Sequence, residues 1–265
     1  PIFTDININN NQASHSGGGL YITESSSPIL TNGLISQNEA GYGGGLYITE
    51  SSSPVLTNII ISENEASNFA GAIEIKGNQD PYGNPNSCYP IFINNSIVEN
   101  IAPESSAIYL VNNAYPIIVN SIIWHNNNQS IGFGSQNDAW SIPQINFSNI
   151  EGGWSLEVLP NYLPDGWEGI GNIDIYPLFT NLENNDYTLQ EYSPCIDSGT
   201  ADLDGDGVDD ITDYIGSAPD MGVFEFGVEL SNDEENIPTA YTLKTPYPNP
   251  FNPVININFS VPNHD

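Results

Sequence analysis

The sequence has almost no basic residues. Its 265 residues contain two lysines, no arginine and 33 acidic residues, which gives a formal net charge of −31. Proteins that bind nucleic acids or anionic membranes use Lys and Arg side chains to neutralise phosphate groups, so this composition argues against both kinds of partner. A surface of this charge attracts cations instead.

Long apolar runs and cysteines are also scarce. No run of about 18 apolar residues occurs, so the sequence predicts no transmembrane helix. Two cysteines, Cys88 and Cys195, allow at most one intrachain disulfide. We expect both to be unpaired, because one falls on a loop in the middle of the repeats and the other near their end.

The chain is organised around a repeat. Residues 17–32, GGGLYITESSSPILTN, return at residues 43–58 as GGGLYITESSSPVLTN, and the replacement of Ile29 by Val55 is the single change. A period of about 20–50 residues is typical of solenoid proteins. Each unit contains three short β-rich runs separated by Gly, Ser and Asn-Glu clusters, which predicts three strands in each coil.

Single positions of the unit recur along the chain in columns. The proline recurs at Pro1, Pro28, Pro54, Pro90, Pro116 and Pro143, and an apolar residue follows each at Phe3, Leu30, Leu56, Phe92, Ile118 and Ile145. Two polar columns hold Asp5, Asn32, Asn58, Asn94 and Asn120, and Asn11, Asn38, Asn64, Asn100 and Asn126. Asparagines at turns tolerate left-handed backbone and can hydrogen-bond along the axis, so we expect each column to form a ladder. Strand alternation and the apolar column place eight side chains inside, namely Leu20, Ile22, Leu30, Leu46, Ile48, Leu56, Ile75 and Phe92.

The motifs GGGLYIT, SSSPILTN and ISQN resemble the repeats of the right-handed parallel β-helix of the pectate-lyase-like superfold. Residues 1 to about 226 carry the resemblance. It implies an all-β solenoid with three strands and about 26 residues per coil, and an asparagine ladder at the turn between the second and third strands. It implies little about activity, because one fold hosts many functions.

The end of the chain resembles two further kinds of segment. Residues 177–200 and 219–226 are similar to the closing coils of secreted bacterial β-helix proteins, which implies that they cover the open end of the stack. We interpret residues 1–226 as the β-helix and the acidic residues 227–245 as a linker. Residues 246–265 contain YPNPFNPVININFSVP, which resembles the opening of the C-terminal sorting domain of type IX secretion.

The sorting-domain resemblance implies that the type IX secretion machinery is a partner. It also implies an extracellular protein, either secreted or attached to the outer surface of a Gram-negative bacterium. The chain opens at the second strand position of a coil, so we interpret its N-terminus as a cut that removed earlier coils and any signal peptide.

One acidic loop matches a calcium-binding template. In DLDGDGVDDITD the expected ligands of Ca²⁺ are the side chains of Asp202, Asp204, Asp206, Asp210 and Asp213 and the carbonyl of Val208. Clustered carboxylates without a cation repel one another, which favours calcium over a merely solvated loop. Aspartate stands where the template has its bidentate glutamate, and this shortens the reach of the last ligand.

Aromatic residues form an outward column on the first strand of the coils. Tyr21, Tyr47, Glu74 and Tyr109 occupy equivalent outward positions, and in the resembled superfold carbohydrate lies along this face. Exposed aromatic rings suit stacking against sugars. The alternative is that the tyrosines stack only on their own copies, as β-strand residues often do.

Catalysis has few candidate residues. Polysaccharide lyases of this superfold need a basic residue, and Lys76, which we place at the start of the inserted loop 76–89 and beside Glu74, is the only candidate in the repeats. Inverting glycoside hydrolases need two carboxylates, which Glu74, Asp80 and Glu50 could supply. Neither His15 nor His125 has a Cys or Ser partner at a spacing that would indicate a site, and we expect both histidines to be surface or turn residues.

We therefore expect a calcium-stabilised protein that binds extracellular glycans or a cell-surface polysaccharide, or that serves a structural role. Its negative charge favours neutral glycans, or acidic ones bridged by calcium. The alternative function is that of a polysaccharide lyase or a glycoside hydrolase.

Overall fold

The computed structural model describes residues 1–79, 85–134, 141–153 and 169–228 and the strands Thr242–Leu243 and Phe259–Ser260. The chain divides into two compact units, Pro1–Gly227 and Val228–Asp265. In the second unit the two short strands pair in antiparallel fashion. Nearly all of the predicted linker and sorting domain, 227–245 and 246–265, lies outside the described residues.

The first unit is a right-handed parallel β-solenoid of about five turns, which confirms the fold expected from the repeat. Its first sheet has five parallel strands, β2 (Leu20–Ile22), β5 (Leu46–Thr49), β8 (Ile73–Lys76), β13 (Ile108–Val111) and β16 (Ile131–Gly134). Each strand pairs with its copy in the next coil, so that Leu20 lies beside Leu46 and Leu46 beside Ile73.

The second sheet combines the second and third strand positions of each coil. Three strands span both positions, namely β1 (Ile2–Asn9), β3 (Ile29–Ser36) and β6 (Val55–Ser62). In later coils they are separate, as β11 (Ile91–Ile93), β12 (Ser96–Val98), β14 (Ile117–Val119), β15 (Ile122–Trp124), β17 (Gln144–Asn146) and β18 (Asn149–Ile150). The register from Phe3 to Ile145 follows the predicted apolar column.

Short elements complete the fold. Strands β4 (Glu39–Tyr42) and β7 (Glu65–Phe69) pair in parallel just before the first sheet, and β9 (Asn78–Gln79) and β10 (Pro85–Asn86) form an antiparallel pair in the inserted loop. Near the end of the unit, β19 (Phe179–Asn181) and β20 (Asp186–Leu189) form an antiparallel pair around the 3₁₀ turn Leu182–Asn184.

One apolar core fills the interior of the coils. Seven of the eight side chains named as interior are buried in it, and Leu20 is partly buried against it. The buried seven are Ile22, Leu30, Leu46, Ile48, Leu56, Ile75 and Phe92. Because inward positions repeat in register, each side chain packs on its copies in the neighbouring coils, and the prediction of the core is confirmed.

Both polar columns form side-chain hydrogen bonds between coils, but only one of the two ladders is continuous. In the column from Asn11 to Asn126, the side-chain amide of each of the first four residues donates to the side-chain oxygen of the next copy at 3.0 Å, which forms a continuous ladder. In the other column all five residues have left-handed backbone, with φ of 50–55°. Ladder bonds occur there from Asn58 to Asn32 at 3.3 Å and from Asn120 to Asn94 at 3.4 Å. These residues turn the chain between the second and third strand positions.

The segment expected to cover the end of the stack packs along its side. Residues Phe179, Tyr187, Leu189, Cys195 and Met221 form a second apolar cluster with Val98, Ile122 and Trp124 of the solenoid. The backbone amide of Val223 donates to Ser96 at 3.2 Å, and that of Gly222 donates to the carbonyl of Asn120 at 2.8 Å. Apolar residues on β12 and β15 account for this placement, because they must be shielded from water.

Candidate functional site

Two columns of side chains line a cleft on one side of the solenoid. The first is the outward column of the first sheet, and the second consists of the residues just before the turn of small residues that leads into each strand of that sheet. The second column contains Ser16, Tyr42, Phe69 and Glu104, which pair from coil to coil. Members of both columns line a cleft of about 370 Å³, together with His15, Lys76, Val111 and Gly134.

The outward column has the predicted register but not the predicted exposure. Tyr21, Tyr47, Glu74 and Tyr109 lie side by side across four coils. Tyr21 is 53% exposed and stacks on Tyr47 at 5.2 Å, but it does not line the cleft. Tyr47 and Glu74 are only 8% and 4% exposed. We expected a flat exposed strip of rings, and that expectation is wrong because the second column stands beside it.

The second column is not among the features predicted from the sequence. Phe69 stacks on Tyr109 with ring centroids 4.6 Å apart, and Tyr42 stacks on Phe69 at 6.2 Å. His15 is an exposed surface residue, as expected, and it lines the cleft and contacts the edge of Tyr42 at 5.4 Å. The available signal was the residue immediately before each glycine-rich turn, which is aromatic in the second and third coils.

The Tyr109 ring has room because glycines occupy the neighbouring positions on the strand of the next coil. The outward position beside Tyr109 on β16 is Gly132, and a Cβ atom at Gly134 would clash with the Tyr109 hydroxyl. The ring of Tyr109 therefore lies across the backbone of the last coil, with Phe69 on it. This arrangement forms one wall of the cleft.

Glu74 is the most unusual residue of the cleft. Its Oε2 atom is buried and has no hydrogen-bond partner among the described residues. Burial raises the pKa of the Glu74 carboxyl to about 7, and the positive charge of Lys76 partly opposes this. Burial, together with the Glu74 charge, also raises the pKa of Tyr47 and Tyr109, so both hydroxyls are protonated and can donate hydrogen bonds at neutral pH.

Lys76 and Glu74 come together, as the sequence suggested, but Lys76 belongs to a strand. It is the last residue of β8, where it lies in register with Thr49 and Val111, and the inserted loop begins after it. Two residues apart on one strand, Glu74 and Lys76 project from the same face. The Lys76 ammonium and the Glu74 carboxylate do not approach within 4.0 Å, so these two described residues form no direct salt bridge.

The other proposed carboxylates are not assembled here. Among the described residues that line the cleft, Glu74 is the only acid. Glu50 is exposed and accepts a hydrogen bond from Thr23 at 2.8 Å. Asp80, in the inserted loop, lies outside the described residues. Cys88, at the end of that loop, is a free thiol in the core, and Cys195 is a free thiol in the second apolar cluster.

The acidic loop brings part of its expected ligand set together. Carboxylate oxygens of Asp202, Asp204 and Asp210 lie within 4.8 Å of one another. Asp202 organises the turn, because its two oxygens accept hydrogen bonds from the amides of Gly205 at 2.7 Å and Gly207 at 2.9 Å. The other two predicted carboxylates, those of Asp206 and Asp213, are outside this group of three.

Comparisons with known proteins agree with the architecture. A family model described as "Right handed beta helix region" matches residues 3–138, which include all of the described residues that line the cleft. Searches of curated proteins and of solved structures returned no match. No helix in the described ranges is long and apolar enough to cross a membrane.

Proposed function

The chain belongs to the right-handed β-helix family, and from this premise we propose that it is a glycan-binding protein whose ligand occupies the aromatic cleft. The cleft itself is the observation that supports this function. Tyr42, Tyr47, Phe69 and Tyr109 line it with rings, and Glu74 offers a polar atom inside it. Sugars present both apolar ring faces and hydroxyl groups, and a site for them needs both kinds of contact.

The aromatic rings of the cleft are already packed against neighbouring rings before a ligand binds. Tyr47 is buried and stacks on Tyr21, and Tyr109 stacks on Phe69, so little side-chain freedom remains to be lost when a ligand binds. Side chains that are already ordered lower the entropic cost of association. The cleft is therefore a better site than an isolated exposed ring such as Tyr192.

Replacing Tyr109 by alanine should weaken glycan binding about tenfold or more, because it removes a ring and its stacked contact from the cleft wall. A glycan array with neutral, acidic and amine-bearing glycans, run with and without calcium, would first identify a ligand. Titration calorimetry would then compare the Tyr109→Ala variant with the unchanged protein.

Tyr89→Ala provides a matched control. Tyr89 is 54% exposed and stacks on Tyr115 at 5.3 Å, but it does not line the cleft. This variant should bind as the unchanged protein does. Binding that survives Tyr109→Ala but is lost in Tyr89→Ala would place the site elsewhere. If no glycan binds, a structural role as a spacer would replace the proposed function.

One observation favours the second candidate function, a polysaccharide lyase or glycoside hydrolase. A carboxyl group with a pKa of about 7, next to Lys76, suits proton transfer at neutral pH. Inverting hydrolysis, however, needs two carboxylates about 6.5–9.5 Å apart, and Glu74 is the only one among the described lining residues. An assay for product release would decide, and activity abolished by Glu74→Gln or Lys76→Met would establish the enzyme.

We further propose that the acidic loop binds calcium and stabilises the protein. The group of Asp202, Asp204 and Asp210 supports this, because extracellular calcium sites use such short loops of oxygen ligands. Calcium at ten times its dissociation constant should stabilise the fold by about 1.4 kcal/mol. Thermal melting with calcium and with a chelator would measure this, and an Asp202→Asn, Asp204→Asn variant should show no difference between the two conditions.

Export by type IX secretion is also a proposal. The YPNPFNP box at residues 247–253 supports it, together with a composition that suits an extracellular solenoid. Fusing residues 246–265 to a reporter would test whether this segment contributes to recognition by the secretion machinery.

A further inference from the structure

The cleft contains a buried acceptor that no described residue satisfies. The Glu74 residue as a whole is only 4% exposed, and its Oε2 atom is buried without a hydrogen-bond partner among the described residues. Buried carboxylates normally have hydrogen-bonding or ionic partners, because an unpaired one costs several kcal/mol. Glu74 lines the cleft, so a ligand in the cleft can supply the missing partner.

The surroundings of Glu74 suit a positively charged partner. Tyr47, Phe69 and Tyr109 line the same cleft, and aromatic faces attract cations, most strongly where water is excluded. The formal charge of −31 raises the local concentration of cations around the protein. Lys76 provides the countercharge in the free protein, but it makes no ion pair with Glu74 within 4.0 Å in the described part of the chain.

Building on the proposed glycan-binding function, we propose that the cleft selects glycans that carry an ammonium group, which binds against Glu74 and contacts Tyr47, Phe69 and Tyr109. The group is either the primary ammonium of an amino sugar or a quaternary ammonium substituent. Both carry a positive charge that the carboxylate and the aromatic rings attract. The primary ammonium can also donate a hydrogen bond to Oε2, whereas the quaternary group offers its charge and its methyl groups. Glu74 is then the residue that determines specificity, and Lys76 limits the affinity by charge repulsion.

The test uses choline as the cation and dimethylbutanol, in which carbon replaces the nitrogen, as an uncharged probe of the same shape. Calorimetry with the full chain should show choline binding at least about tenfold more tightly than dimethylbutanol. Methyl glucosaminide and its N-acetyl derivative form the second pair. Whichever cation gains more over its neutral counterpart identifies the source of the ammonium group, and equal binding within both pairs would overturn the proposal.

Three substitutions are expected to change choline binding in three different ways. Glu74→Gln should weaken choline binding at least about tenfold, because it removes the charge and keeps the shape. At about pH 9, where Glu74 is ionised, Lys76→Met should strengthen choline binding, because it removes the repelling charge and keeps most of the stem. Glu183→Gln, which removes an exposed acid outside the cleft, should change nothing. Choline binding that survives Glu74→Gln, or that weakens in Lys76→Met, would contradict the proposal.

The pH dependence of choline binding has a defined sign. The titratable and charged groups that line the cleft around Glu74 are Lys76, Tyr47, Tyr109, Tyr42 and His15. A cation binds the ionised form of Glu74, so its affinity should rise with pH until about 7 and then level off. Choline keeps its charge over this range. Affinity that falls as pH rises would show that choline prefers the protonated form of Glu74 and would overturn the proposal.

A glycan array separates this proposal from the function on which it rests. Preferential binding of amine-bearing glycans supports both. Binding of glycans with no preference for an amine leaves the glycan-binding function in place and removes the ammonium site. Absence of any binding to glycans contradicts both.

Discussion

Replacing Asn64 by alanine should destabilise the protein by about 3–5 kcal/mol. Asn64 is fully buried and connects three coils through its side chain. Its amide donates to the carbonyl of Ile35 at 2.9 Å and to Asn100 at 3.0 Å, and its oxygen accepts from the backbone and side-chain amides of Asn38 at 3.0 Å. Alanine leaves the Ile35 carbonyl and both Asn38 donors without this partner, and each buried unsatisfied group costs about 1–3 kcal/mol.

Unfolding in urea would measure the effect as a lower midpoint with an unchanged slope. Gln12→Ala is the matched control, because Gln12 also donates to the next coil, to Glu39 at 3.0 Å, but at an exposed position. Its loss should cost no more than about 0.5 kcal/mol. If Asn64→Ala cost as little as Gln12→Ala, the buried ladder would not be what couples the coils.

The repeat made the architecture predictable because each column constrains several coils at once. A single apolar position such as Leu30 is ambiguous, but its copies at regular spacing require a shared inward direction. The same regularity predicted the buried asparagine ladder. It did not show that β3 and β6 run continuously through Asn32 and Asn58, because left-handed asparagine can either end a strand or bend it.

The cleft was only half predictable. The outward column followed from strand alternation, which places Tyr47 and Glu74 on one face. The second wall depends on how Tyr42 and Phe69 turn into the first sheet, and a strand period carries no information on the path of a turn. The closing segment was misplaced for a similar reason, since apolar Ile122 and Trp124 were not recognised as outward residues that need a cover.

Replacing Glu74 by glutamine should stabilise the protein at alkaline pH, although it damages the proposed site. A folded-state pKa of about 7 lies above the ordinary value of 4.5. The folded protein therefore binds a proton that the unfolded chain releases between these values. The stabilisation from this proton is complete below the unfolded pKa and is lost as pH rises through the folded pKa, at about 1.4 kcal/mol for each pH unit between the two.

The pH dependence isolates Glu74 from the other acids. The difference in unfolding free energy between Glu74→Gln and the unchanged protein should shift by about 3 kcal/mol in favour of the variant from pH 4 to pH 8. Glu183→Gln, an exposed substitution that removes the same charge, should show no such shift. A flat difference for Glu74→Gln would mean that Oε2 is satisfied in the free protein. A stabilising substitution that abolishes cation binding would instead show that this costly carboxylate serves the ligand, because Oε2 of Glu74 has no hydrogen-bond partner among the described residues.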